Sequence, residues 1–210
     1  MSDPTTESAR DDLAFVRALV SEGGQAQATL GEALFGAGLC YGIQCALQFL
    51  FASGVYGAPL VQLAVGVLPT VVFTVLMVRI TVRDRGQSQH GVSTRAINAT
   101  FGGAGLAAIC SAAIFGYLSM RANSMETFLL HPVIICVLQG TVWYTAFVIR
   151  RRGWFGLVSA GWFATSLALA FVLGTHDPRL ATWFLGVLTL AMFLLLALPG
   201  WLLWKGAARG

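Results

Sequence analysis

Charge is what this sequence has least of: Asp, Glu, Lys and Arg make up 10% of the 210 residues, against about a quarter in an ordinary soluble domain. That deficit excludes a soluble enzyme, a disordered tail and a nucleic-acid-binding module. Lysine is nearly absent, Lys205 being its one occurrence, so no apolar run holds an amine for retinal. The chain also lacks a GxxxxGK[ST] loop, an HExxH, a GxSxG and any carboxylate pair at helical spacing within an apolar run, which disfavours most membrane-enzyme mechanisms. Ser111, Ser159 and Ser166 stand in no nucleophile motif. Haem ligation by two histidines needs both inside the membrane, and His131 is the one histidine near a span interior. The four cysteines, Cys40, Cys45, Cys110 and Cys136, fit neither a disulfide framework nor a CxxC site and read as small buried hydrophobes. No catalytic residue, cofactor or metal is expected.

What is present is apolar length, with 57% of the residues hydrophobic. Crossing a hydrocarbon core of about 30 Å takes about 20 apolar residues in a helix, and six segments qualify, near 29–53, 58–80, 96–119, 128–149, 153–174 and 181–204. The expected fold is all-α: a polytopic membrane protein with six transmembrane helices, preceded by a cytoplasmic amphipathic helix. Residues 1–28 form the N-terminal segment, 29–204 the six-helix domain and 205–210 a cytoplasmic tail. No loop is long enough for a second domain.

Orientation follows from the asymmetry of Lys and Arg in short loops. With the N-terminus inside, the cytoplasmic side carries Arg10, Arg17, Arg79, Arg83, Arg85, Arg95, Arg150, Arg151, Arg152, Lys205 and Arg209, and the outside only Arg121 and Arg179. Both termini are therefore expected in the cytoplasm. The net charge of +4 is topological, not directed at nucleic acid. Tyr56, Tyr117, Trp154, Trp183, Trp201 and Trp204 fall near span ends, where amphipathic rings favour the headgroup region. Arg in place of Lys, with heavy Ala and Gly use, suits a GC-rich bacterial genome and hence a bacterial inner membrane.

The first 28 residues are acidic and polar, unlike a cleavable signal peptide. Leu13, Val16 and Val20, with Leu19 beside them, recur at helical spacing, and Gly23-Gly24 makes a natural stop. This short amphipathic helix lies against the bundle or binds a partner. Phe35-Gly36-Ala37-Gly38-Leu39 and Phe101-Gly102-Gly103-Ala104-Gly105-Leu106 stand at similar depths, which suggests a repeat of two-helix units. Small residues at four-residue spacing, namely Gly38 and Gly42, Ala104, Ala108 and Ala112, and Ala160, Ala164 and Ala168, predict close helix packing within the chain or across a dimer face.

Polar side chains inside a membrane are costly and mark function. Tyr41, Gln44 and Gln48 share one face of the first span; Gln62, Thr70, Thr74 and a central Pro69 lie on the second; Asn98 opens the third; His131, Gln139 and Trp143 lie on the fourth. Tyr41, Gln44, Gln48, Gln62, Gln139 and His131 are the candidate ligand-binding residues, with Pro69 as hinge, because a proline kinks its helix and frees a carbonyl. Such an amide-rich lining suits a neutral or zwitterionic solute, whereas the same amides hydrogen-bonding across helices need no ligand. Glu32 is expected near the start of a helix, where the dipole favours a carboxylate. His131-Pro132 is expected in the first turn of its helix. Glu126, His176 and Asp177 share the side of His131, but their spacing matches no ligand pattern. Two functions remain: a small transporter or channel for a neutral or zwitterionic solute, and a non-catalytic subunit or sensor acting through a protein partner or a second copy. The lipid bilayer is a partner in either case.

Overall fold

In a membrane core every backbone polar group must be satisfied within the chain, so apolar runs of this length become helices. The computed structural model describes residues 4–85, 92–175 and 177–207, with side chains from Gln27 onward apart from those of Val92 and Ala207. The elements are α1 (Pro4–Ala52), α2 (Pro59–Arg83), α3 (Val92–Ala122), α4 (Met125–Arg150), α5 (Gly153–Gly174), α6 (Leu180–Ala191), a π-helical segment (Met192–Ala197) and α7 (Leu198–Ala207). α6, the π segment and α7 are continuous and form one span. Six stretches are long and apolar enough to cross a membrane: Gln27–Ala52, Pro59–Arg83, Ser93–Ala122, Met125–Arg150, Gly153–Gly174 and Leu180–Gly206. The chain is thus an all-helical, polytopic membrane protein.

Three local expectations are corrected. α1 does not stop at Gly23-Gly24 but runs unbroken for 49 residues. Each helical glycine costs about 1 kcal/mol relative to alanine, and helix-favouring Ala and Gln residues follow the pair. Glu32 therefore sits far inside α1, beyond the reach of a dipole effect confined to the first turn. His131-Pro132 is likewise not in a first turn, because α4 begins at Met125, where Ser124 Oγ accepts from the Thr127 N–H at 3.4 Å. The apolar stripe expected on Leu13, Val16, Leu19 and Val20 lies outside the described side chains.

The helices pack in the order α2, α1, α6–α7, α5, α4, α3, with a narrow contact between α1 and α3. α1 is the hub, touching α2, α3 and the whole sixth span. α2 and α3 are peripheral: apart from Ile80, Thr94 and Ile97, none of their described residues with a side chain is buried. The core lies among the other spans, where Trp143, Trp162, Phe184, Leu169 and Cys136 are fully buried. Lipid is as apolar as leucine, so this core is held by close packing more than by exclusion of water. Side chains added at Gly31, Gly38 and Gly200 would run into the backbones of Trp204, Ala197 and Phe35. Gly42, the partner of Gly38 in its GxxxG, would meet the Phe193 ring at 3.0 Å. The expected close packing is therefore intramolecular at this motif. The apparent counterparts on α3, Gly102, Gly103 and Gly105, face open space, so the two glycine segments do different work.

The π segment has a cause in the sequence. Pro199 has no N–H, so the Leu195 carbonyl loses its ordinary helical donor. The Trp162 indole on α5 supplies one, donating from Nε1 to Leu195 O at 3.2 Å. One proline thereby both widens the sixth span and ties it to α5.

Candidate functional site

The expected polar stripe is divided among separate interfaces. Gln44 Nε2 donates to the Gly66 carbonyl of α2 at 3.1 Å, next to Val65, whose carbonyl Pro69 leaves without its helical donor. Tyr41 packs edge-on against Phe73 of α2 with ring centroids 5.5 Å apart. Gln48 is half-buried on α1. Gln62 is exposed and turns back, donating from Nε2 to Gly57 O at 2.9 Å across the start of its own helix. His131 faces α3, with Nε2 3.3 Å from Ala108 O. A carbonyl only accepts, so this contact puts the proton on Nε2. Gln139 alone has its amide oxygen buried without a partner among the described residues. Tyr41 and Gln44 thus meet α2 and His131 meets α3; these side chains do not converge on one polar cavity.

The groove nearest the stripe is apolar. Leu47 on α1 and Leu60, Val61, Ala64, Val65, Leu68 and Pro69 on α2 line an open hollow of about 330 Å³. Only Pro69 among the expected residues borders it.

Polar groups instead converge where α1, α3, α4, α5 and α7 meet, at the basic end of the bundle. A cavity of about 20 Å³ is lined there by Gln27, Thr94, Asn98, Trp143 and Arg150, closed by apolar side chains including Phe101 and Phe155. Arg150 is half-buried and donates from Nη1 to Gln27 Oε1 at 3.1 Å. Trp143 is held edge-on by Phe101 and Phe155, with centroids 5.7 and 5.5 Å away, and its Nε1 is buried without an acceptor among the described residues. Sequence reasoning singled out Asn98 and Trp143 but not Gln27 or Thr94. The signal was available in spacing, since Thr94 and Asn98 lie four residues apart, and Trp143 and Arg150 seven, which places each pair on one helix face.

At the same end α1 holds α2 by charge. Glu32 pairs with Arg83 at 2.8 Å, Arg83 Nε reaches Asp84 at 3.0 Å, and Thr29 donates to Asp84 Oδ2 at 2.8 Å. Glu32 has a specific partner in place of bulk solvent.

The intramembrane serines each donate to a backbone carbonyl: Ser111 to Ala108, Ser159 to Gly140 at 2.7 Å, and Ser166 to Phe163. On the opposite end Asp177 caps the approach to α6 by accepting from the Arg179 N–H at 2.6 Å. His176 lies outside the described residues. Among the described residues no cluster of His, Cys, Asp and Glu has the makings of a metal site. No protein-family model, curated protein or solved structure matches this chain.

Proposed function

We propose that this protein is a non-catalytic membrane subunit or sensor that acts through a protein partner, in a bacterial inner membrane with both termini in the cytoplasm. The observation that carries the reading is the use made of intramembrane polar groups. Gln44, Gln62, His131 and the three serines are engaged with backbone carbonyls of their own chain, which is structural glue. Two whole spans, α2 and α3, meanwhile present apolar faces outward. A bundle that transmits or assembles needs such faces, and it needs no polar path. The engaged serine hydroxyls also support a non-enzymatic role. Native mass spectrometry of protein released gently from its own membrane tests this: a stable assembly with another chain or a second copy is expected. A bare monomer, together with unchanged phenotype after deletion of residues 1 to 24, overturns it.

Transport of a neutral or zwitterionic solute is the second reading, favoured by the unpartnered Gln139 Oε1 and by Pro69 in a helix that rests mainly on α1. In that scheme α2 swings about Pro69 and frees Tyr41 and Gln44, which pack on it, to line the path with Gln48 and Gln62, and a separate movement of α4 brings in Gln139 and His131. Solute flux in proteoliposomes, lost on Gln139→Leu, is its expected signature; absence of flux under every imposed gradient removes it.

A further inference from the structure

Two rows of side chains with four-residue spacing, Leu60, Ala64 and Leu68 beside Val61, Val65 and Pro69, run along one face of α2. With Leu47 of α1 they line the open apolar hollow between the two helices. Ala64 explains why a hollow forms there: a single methyl group stands between the two leucines of its row, so the row dips at its centre. At 1.5 Å per residue the stretch from Leu60 to Pro69 is about 14 Å long, close to half of a hydrocarbon core of about 30 Å. It starts in the first turn of α2, which begins at Pro59, and so covers about one leaflet, the one away from the basic end of the bundle. Its volume of about 330 Å³, spread over that length, leaves a channel roughly 5 Å across. A helix, about 10 Å across with its side chains, is too wide to sit in it. No lining side chain can form a hydrogen bond, which disfavours a sugar, a nucleotide or any solute with polar groups to satisfy.

We infer that this hollow is a binding groove for one acyl chain of a membrane lipid in that leaflet. A linear hydrocarbon has the width, the length and the apolarity, and the bilayer supplies it from the side. Lipid gains no hydrophobic energy by leaving lipid, so the preference comes from contact: a chain laid in the groove touches Leu47 and both rows of α2, and an unfilled hollow forfeits those contacts. The turn at 53–58, beside the mouth of the groove, carries no charge, so the groove selects the chain and not the headgroup. The inference stands independently of whether the protein acts through a partner or carries a solute.

The test is photolabelling in phosphatidylcholine vesicles that carry, as a minor component, phosphatidylethanolamine or phosphatidylglycerol with a diazirine midway along one chain, the attachment sites being read by peptide mass spectrometry. With either headgroup, labels are expected to gather at Leu47 and residues 60–69, above the level at other exposed apolar positions such as Leu106 and Ile109 on α3 and Leu167 on α5. Ala64→Phe fills the dip and is expected to bring labelling of 60–69 down to that level. Ala113→Phe, which adds the same ring on an exposed face of α3, is expected to leave the pattern unchanged. Labels spread evenly over the exposed apolar faces of the unaltered protein overturn the inference. So does a 60–69 stretch shielded from label, as a second copy of the chain seated on α2 would give, or an excess there that Ala64→Phe leaves intact or that only one headgroup produces.

Discussion

At the scale of single residues, the contrast between glycines is sharp enough to test. Gly200 meets the backbone of Phe35 where a Cβ would stand, whereas Gly103 faces open space. Gly200→Leu is expected to destabilise the bundle by about 3 kcal/mol or more, beyond ordinary overpacking because backbone must move. Gly103→Ala, by removing a poor helix former, is expected to be neutral or to stabilise by up to about 1 kcal/mol. Unfolding of both variants in the same mixed micelle decides the pair. Trp162→Phe is a third probe: it leaves Leu195 O without its donor and a void beside a fully buried ring, and should cost about 2 kcal/mol or more, measured in the same way. At this scale the sequence was legible in type but not in partner. That Gln44, Gln139 and His131 are polar groups inside a membrane follows from composition. That Gln44 binds Gly66 while Gln139 Oε1 stays unpaired depends on how each helix is rotated toward its neighbour, which spacing within one helix does not specify.

At the scale of elements, α2 illustrates a helix held by few ties. It packs mainly on α1, through the Glu32–Arg83 pair, the Thr29–Asp84 bond and the Gln44–Gly66 bond. Arg83 is half-exposed, with 49% of its side chain accessible, and exposed pairs contribute about 1 kcal/mol or less. Removing Arg83 and Gln44 together, as Arg83→Gln with Gln44→Leu, is expected to raise hydrogen exchange along α2 selectively, leaving α4 and α5 protected as before. The existence of six spans was legible because length and apolarity alone decide it. The continuity of α1 through Gly23-Gly24 was not, since two modest penalties look like a stop when the rest of the helix is unseen. The π segment was also hidden, although its origin in Pro199 is plain once Leu195 O is found bonded to Trp162.

For the molecule as a whole, the distribution of basic residues makes an orientation prediction. Single-cysteine variants Arg152→Cys and Asn123→Cys, in a background cleared of native thiols, should react with a membrane-impermeant reagent from opposite sides, with Arg152→Cys on the cytoplasmic side. The packing order has a further geometric consequence. α2 and α3 are consecutive in sequence yet stand at the two ends of the row, with α1 approaching α3 only narrowly. The chain between Arg83 and Val92 can stretch to at most about 30 Å at 3.3 to 3.6 Å per residue. That tether, and the small cavity shared by α1 and α3, both belong to the basic end. No comparable link joins α2 to α3 at the far end, so the chain limits how far the two helices can part at the basic end, to about 30 Å, and sets no such direct limit at the other.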